Sequence, residues 1–298
     1  MSDLFTATTA AQVEEALARG EDIEEKRGEW FSVKTPLISA CERGELEVVD
    51  CLLNHGADPN HLPRDSISPI QWAAKMGHAA IVERLTRAGA DPNDNINAGG
   101  ETALILASQE GHVDVVDCLL SLGAETEVRD EMGKTALIYA CGEGKVDVVD
   151  RLLEAGANVN ALDCNKITAL MRSAQFGHLS IVDRLVVHGA DINLQSCRKT
   201  NALMECCWNN HMNVVDRLLS LSCDVDVQDN NGATVLMWAC LKRKIDIVRL
   251  LLDHGADPLL QDKNGKRVID LTSSPEIQTL LNGLILLSFH HHHRHHVP

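Results

Sequence analysis

The chain has 298 residues, 45% of them hydrophobic and 23% charged, which are ordinary proportions for a soluble protein. Its formal net charge is −16 and no basic block offsets it, so the composition argues against binding to a phosphate backbone. The longest apolar run, around Leu284–Leu287, is too short to span a bilayer, and the N-terminus lacks the pattern of a secretion signal. We therefore expect a cytoplasmic or nuclear protein whose partner is neither a membrane nor a nucleic acid.

The sequence is organised by one repeated segment, seen clearly at residues 135–160 (TALIYACGEGKVDVVDRLLEAGANVN). Its copies follow each other at 33 residues, with one interval of 34, and open at Thr35, Ser68, Thr102, Thr135, Thr168, Asn201 and Thr234. Each copy predicts two short helices, because the opening hydroxyl can cap a helix and single glycines can end one. Val148, Val149 and Leu152 form an apolar stripe that an isolated helix pair cannot bury, so we expect the copies to stack.

The motifs inside the copies point to a known family. The opening Thr-Pro-Leu-x-x-Ala stands as TPLISA (35–40) and, in variant form, as SPIQWA (68–73), TALILA (102–107) and TALMRS (168–173). With the 33-residue period, these motifs resemble the ankyrin repeat over residues 1–283. The resemblance implies an all-α ankyrin-repeat solenoid of stacked helix-turn-helix units with projecting finger loops.

Residues 1–34 are a degenerate copy of the repeat, which we interpret as an N-terminal capping repeat. We interpret residues 35–266 as seven ankyrin repeats. Residues 267–283 keep the frame with a degraded motif, as expected of a C-terminal capping repeat. The histidine-rich residues 284–298 are a disordered tail or a purification tag, or alternatively a metal-binding tract. The copy at Asn201 has Asn210 and Ser222 where other copies have helix-ending glycines, so we expect it to be the least regular.

The sequence contains no recognisable catalytic, cofactor or metal site, and we do not expect an enzyme. Four histidines occupy one position of the repeat and are predicted to be structural: His78, His112, His178 and His211. In the family, the histidine of Thr-Pro-Leu-His bonds neighbouring repeats. That residue is missing here, so we expect apolar packing to hold the repeats together instead. The ten cysteines are expected to be reduced thiols, with Cys206–Cys207 a weak candidate for redox or soft-metal chemistry.

The resemblance implies that partners bind to a groove formed by the finger tips and the exposed side of the first helices. Seven of the nine aromatic residues fall at such positions, and aromatic side chains are common interface anchors. The predicted partner-binding residues are Trp30, Phe31, Trp72, Met76, Tyr139, Arg172, Phe176, Trp208, Trp238 and Leu241. The alternative is that Trp72, Tyr139 and Trp238 pack sideways between repeats. Charges on this face nearly balance, so the sequence does not call for a basic partner.

We therefore predict a monomeric protein–protein interaction module with an unidentified partner protein. The alternative function is that of a regulatory or adaptor subunit that inhibits or recruits an enzyme. The resemblance also implies that Asn160 and Asn193 are candidate sites for an asparaginyl hydroxylase. The alternative for these asparagines is that they only hydrogen-bond the finger backbone.

Overall fold

The computed structural model describes residues 2–28, 33–63 and 66–292, with side chains up to residue 283. The regular elements of this part are all helices, and Arg27 and Lys34 form an isolated antiparallel β-bridge. The chain falls into two compact bodies: an N-terminal body, Met1–Cys164, and a C-terminal body, Asn165–Pro298. No helix of the described part combines the length and the apolarity needed to cross a bilayer.

The N-terminal body consists of stacked helix pairs. Its helices are α1 (Ala10–Ala18), α2 (Pro36–Arg43), α3 (Leu46–Asn54), α4 (Pro69–Met76), α5 (Ala79–Arg87), α6 (Ala103–Glu110), α7 (Val113–Ser121), α8 (Ala136–Gly142) and α9 (Val146–Glu154). The first helices of the pairs pack side by side in the order α2, α4, α6, α8. The second helices form a parallel row behind them, in the order α1, α3, α5, α7, α9.

The C-terminal body repeats this arrangement. Its helices are α10 (Ala169–Phe176), α11 (Leu179–Val187), α12 (Ala202–Trp208), α13 (Met212–Ser220), α14 (Val235–Leu241), α15 (Ile245–Asp253), α16 (Val268–Leu271) and α17 (Pro275–His292). The order of packing is α10, α12, α14, α16 in the first row and α11, α13, α15 in the second. α17 extends to His292 and so includes residues 284–292, which the sequence predicts to be disordered or part of a tag.

The opening residue acts as the predicted helix cap in six of the seven copies, the exception being Ser68, whose buried hydroxyl has no hydrogen-bond partner among the described residues. The Thr168 hydroxyl accepts the backbone N–H of Met171 at 3.1 Å, and the Asn201 side-chain oxygen accepts that of Met204 at 3.0 Å. The predicted apolar stripe is buried, since Val149 and Leu152 are fully inaccessible to solvent. These observations confirm the all-α fold of stacked helix pairs with finger loops between them.

The irregular copy behaves locally as predicted. Asn210 (φ 61°) and Ser222 (φ 57°) adopt the left-handed conformation that glycine provides elsewhere. The next copy shares this feature, which the sequence analysis missed: Arg243 stands at φ 55° after α14. An L-residue pays a steric cost in this region because its Cβ approaches the backbone, so these positions are strained.

Neighbouring helix pairs are also joined by hydrogen bonds, and the expectation that apolar packing replaces them is wrong. The Nε2–H of His78 donates to the carbonyl of Glu42 at 3.2 Å, and that of His112 donates to the carbonyl of Lys75 at 2.9 Å. His211 bonds the carbonyl of Gln175 in the same way. The histidine after the left-handed residue that ends the first helix, which is Gly77, Gly111 or Asn210, therefore supplies the bond between repeats.

Candidate functional site

Partner contacts are predicted on a surface that we call the finger face: the finger loops of a body together with the exposed side of its first helices. Three predicted residues at the ends of these helices are large, exposed apolar side chains: Met76 (43% exposed), Phe176 (51%) and Leu241 (58%). Each lies at the end of its helix, next to the turn into the second helix. Trp30 and Phe31 lie outside the described residues.

On the N-terminal body, the aromatic residues of the finger face are half-buried and engaged with the chain's own lysines. The ammonium of Lys34 lies 4.8 Å from the centre of the Trp72 ring and 2.6 Å from a carboxylate oxygen of Glu42. The Tyr139 hydroxyl donates to Asp130 at 2.6 Å, and the ammonium of Lys134 lies 4.8 Å from the ring centre. These rings are neither bulk core nor freely exposed, which gives the predicted sideways packing partial support.

On the C-terminal body, the structure brings Trp208, Trp238 and Leu241 together. They line a cleft of about 200 Å³, which we call the tryptophan cleft. The cleft lies against α12, α14 and α16, and its other lining residues are Met204, Asp229, Ala233, Thr234, Met237, Asp262 and Leu271. Most of these side chains are apolar. The indole nitrogen of Trp208 is buried and has no hydrogen-bond partner among the described residues.

Two carboxylates of the tryptophan cleft were not singled out by the sequence analysis, which counted them only as finger charges. Oδ1 of Asp229 accepts the N–H groups of Asn231 and Ala233, at 2.8 and 3.0 Å. Oδ1 of Asp262 accepts two backbone N–H groups of its own finger in the same way. The Oδ2 atoms of both carboxylates accept no hydrogen bond from the described residues. Each finger turn therefore orients a carboxylate and leaves one oxygen available at the cleft.

A second cleft, of about 250 Å³, lies beside α10 and α12 and contains the predicted residue Arg172. It is more polar, because Arg198, Gln175 and Glu205 also line it. Burial raises the pKa of the Glu205 carboxyl, while the hydroxyl of Thr200 and the charges of Arg198 and Arg172 oppose the rise. The exposed Phe176 stands apart from both clefts, with its ring centre 6.3 Å from that of His178.

Two further apolar side chains of the finger loops were missed by the sequence analysis. Ile96 and Met132 are 77% and 50% exposed. Their signal is visible in the sequence as an apolar residue in an otherwise polar turn. Counting aromatic residues alone could not find them.

Burial controls the chemistry of several cysteines. No two of the ten, all within the described residues, form a disulfide. Burial raises the pKa of Cys223 and Cys240 to about 12 and that of Cys206 well above its usual value. Thiols that stay protonated are poor nucleophiles and poor metal ligands, which argues against the Cys206–Cys207 candidate.

One group of possible metal ligands lies away from the finger face, where the sequence analysis expected none. Ligand atoms of Glu14, Cys51 and His55 lie within 4.8 Å of one another. His55 Nδ1, however, bonds the carbonyl of Cys51 at 2.8 Å, as His188 and His254 bond the carbonyls four residues before them. Burial also raises the pKa of Cys51. One nitrogen of the imidazole thus bonds the end of its own helix, and the other, Nε2, lies 3.2 Å from a carboxylate oxygen of Glu14.

The two candidate modification sites differ in exposure. The side-chain oxygen of Asn193, which is exposed, accepts the N–H of Asp224 in the following finger at 2.9 Å. This bond is the structural role that we considered as the alternative. Asn160 is half-buried, and its own N–H bonds the Asn158 side chain at 3.0 Å. Hydroxylation at either site stays a prediction.

Comparison with known proteins identifies the family. A sequence model described as "Ankyrin repeats (3 copies)" matches residues 7–96, 70–163 and 170–262. Ankyrin repeat domain-containing protein 63 of Mus musculus is 37% identical over 89 residues, which are 29% of this chain and 23% of that protein. The ankyrin repeat and KH domain-containing protein mask of Drosophila melanogaster is 35% identical over 100 residues, 33% of this chain and 2% of that protein.

A solved structure extends the comparison to most of the chain. The ankyrin repeat domain of Bcl-3, described as a unique member of the IkappaB protein family, superimposes with a TM-score of 0.67 at 25% identity. The match covers 72% of this chain and 98% of that domain. By contrast, the chain spans less than a quarter of the length of the curated relatives named above.

Proposed function

The chain belongs to the ankyrin-repeat family, and from this premise we propose that it binds a partner protein through the finger face of its C-terminal body. Ankyrin repeats generally act as protein–protein interaction modules. The observation that carries the proposal is the concentration of predicted contact residues on this body: Phe176 and Leu241 are exposed, and Trp208 and Trp238 line one cleft. Large apolar and aromatic side chains that reach the surface are typical of interface anchors.

We propose that recognition is the whole activity of this body, as in an adaptor that brings the partner to other proteins. A cytoplasmic or nuclear location fits ten cysteines that form no disulfide. The two clefts support recognition because each joins apolar lining with charged side chains, which gives both affinity and orientation. We also propose that the chain is a monomer, so that the finger face is not covered by a second copy and can bind a different protein.

The experiment is a comparative capture of proteins from cell extract. The baits are the unaltered chain, Phe176→Ala, Leu241→Ala and Val187→Ala. Val187 is a matched control, since it is an apolar residue that is 81% exposed at the end of a second helix, α11. We expect a protein that Val187→Ala retains and the other two variants lose, and that binds the purified chain directly. If the finger-face variants and Val187→Ala retain the same proteins, the proposed surface is wrong.

A further inference from the structure

The N-terminal body twice holds a lysine ammonium over an aromatic ring of the finger face, with a carboxylate in the same cluster of side chains. Lys34 lies over Trp72 and pairs with Glu42 at 2.6 Å. Lys134 lies over Tyr139, whose hydroxyl bonds the Asp130 carboxylate. The negative face of the ring and the nearby carboxylate both attract a cation. The finger face of this chain therefore already uses a defined arrangement that holds lysine side chains.

The tryptophan cleft repeats this arrangement with one member changed. Asp229, Ala233 and Trp238 have the same spacing as Asp130, Lys134 and Tyr139, so the alanine stands where the lysine stands in the earlier copy. Among the described residues, no lysine or arginine lies over the ring of Trp238 or of Trp208. The aromatic wall and the carboxylate are retained, while the cation that would match them is not part of the cleft.

The rest of the cleft strengthens the attraction for a cation. Trp208 adds a second indole and Asp262 a second carboxylate. Oδ1 of each aspartate is held by two backbone N–H groups of its finger, at 2.8 to 3.0 Å, which orients the carboxylate before any ligand arrives. Met204 and Met237 supply an apolar floor. The cleft thus offers an apolar surface to the methylene groups of a long side chain and negative charge to a cationic group at the end of that side chain.

We propose that the tryptophan cleft binds the side chain of one lysine in an extended segment of the partner protein. The four methylenes pack on the indoles and methionines, and the ammonium lies between the rings and the Oδ2 atoms of Asp229 and Asp262. A compact ammonium matches the two lysine arrangements of the N-terminal body. The inference rests on the proposed function, because it names what the same finger face recognises.

The test is a titration of the full-length chain, followed through the indole N–H signals of its tryptophans by nuclear magnetic resonance. The probe is a blocked Gly-Gly-Lys-Gly-Gly peptide. The same peptide with norleucine keeps the stem without the charge, and the peptide with arginine replaces the ammonium by a guanidinium. We expect the lysine peptide to shift the signals of Trp208 and Trp238 and not that of Trp72, and to bind more tightly than the other two.

Matched variants tie the binding to the cleft. Asp229→Asn keeps the Oδ1 acceptor that the turn needs and removes the charge, so we expect about a tenfold weaker association with the lysine peptide. Asp130→Asn makes the same change in the N-terminal body and should bind like the unaltered chain. Circular dichroism checks that both variants fold.

Equal binding of the norleucine peptide, tighter binding of the arginine peptide, or unmoved Trp208 and Trp238 signals would each overturn the inference. These results are distinct from failure of the proposed function. A partner that is captured through Phe176 and Leu241, and that Asp229→Asn still binds fully, leaves the proposed function standing and rejects the lysine site alone.

Discussion

The imidazole of His211 lies directly against Gly177 and donates its Nε2–H to the carbonyl of Gln175 at 3.0 Å. A Cβ added to Gly177 would stand 2.5 Å from Nδ1 of this ring. The glycine is thus required twice, once for its left-handed backbone (φ 77°) and once for the room that it leaves to the histidine. The joint between two neighbouring helix pairs depends on this contact.

This contact predicts a large effect of Gly177→Ala. We expect the C-terminal body to lose about 2–4 kcal/mol, since the backbone strain of an L-residue adds to the displacement of the imidazole. Gly189→Ala is the control, because Gly189 has a similar φ of 86° and nothing within 4 Å of an added Cβ. It should lose only about 1 kcal/mol. Urea unfolding measures both, and equal losses would show that the histidine contact is unimportant.

The exposed apolar residues of the finger face predict a loss of affinity without a loss of stability. Phe176→Ala and Leu241→Ala should each weaken partner binding by about 2 kcal/mol, as the truncation of an interface anchor does. Their unfolding midpoints should stay close to that of the parent, since both side chains are more than half exposed. Calorimetric titration with the purified partner measures the affinity. A variant that binds normally removes that residue from the interface.

The strained turn after α13 predicts a stabilising substitution. Ser222 is exposed and has a φ of 57°, so Ser222→Gly should raise the stability of the C-terminal body by about 0.5–1 kcal/mol. Ser220→Gly is the matched control: Ser220 is the last residue of α13, and glycine within a helix should cost about as much as it gains at residue 222. If Ser222→Gly raises the free energy of unfolding in denaturant and Ser220→Gly lowers it, the result supports strain at residue 222. A loss of stability in Ser222→Gly contradicts it.

The same strain predicts where the C-terminal body opens. At helix ends the strained residues Asn210, Ser222 and Arg243 lie in two consecutive copies, whereas α10 and α11 are followed by glycines. The other two non-glycine residues with positive φ, Lys166 and Lys199, lie in finger turns and not at helix ends. Stability in a repeat array is a sum over units and their neighbours, so strained units open first. We expect backbone amides of α12 to α15 to exchange hydrogen sooner than those of α10 and α11. Exchange resolved by mass spectrometry decides this, and uniform protection along the body would contradict it.

Burial of Glu205 predicts a pH-dependent stability. The buried carboxyl has a raised pKa in the folded chain. Its favourable contribution to the free energy of unfolding is therefore complete below the unfolded-state pKa, and it is lost as the pH rises through the folded-state pKa. Glu205→Gln removes this loss and keeps an oxygen for the hydroxyl of Thr200. The variant should therefore melt higher than the parent at pH 7, and the difference should vanish near pH 4.

The control for this prediction is Glu110→Gln, which changes an exposed carboxylate at the end of α6. Its effect on the melting temperature should be small and should not grow between pH 4 and pH 7. If both variants follow the same pH profile, the general reduction in negative charge explains the gain and the burial of Glu205 does not.

The sequence alone determined the fold. Its 33-residue period predicts a series of similar helix pairs, and each pair can bury its apolar stripe only against the pairs that precede and follow it in the chain. A capping residue such as Thr135, a left-handed position such as Ser222 and a buried stripe such as Val149 and Leu152 all depend on local spacing. Local spacing can be read without coordinates. For the same reason the sequence placed Phe176 and Leu241 correctly at exposed helix ends.

The tertiary structure decided what the repeated positions do, because that depends on side chains from neighbouring copies. Trp72 is covered by Lys34 of the preceding finger, whereas Trp238 shares a cleft with Trp208 and with Asp262 of the following finger. The repeat frame treats Trp72, Tyr139 and Trp238 alike. Only the packing of the helices distinguishes these rings. Trp72 and Tyr139 each have a lysine of the chain over the ring, whereas Trp238 lies beside two aspartates and has no such lysine among the described residues.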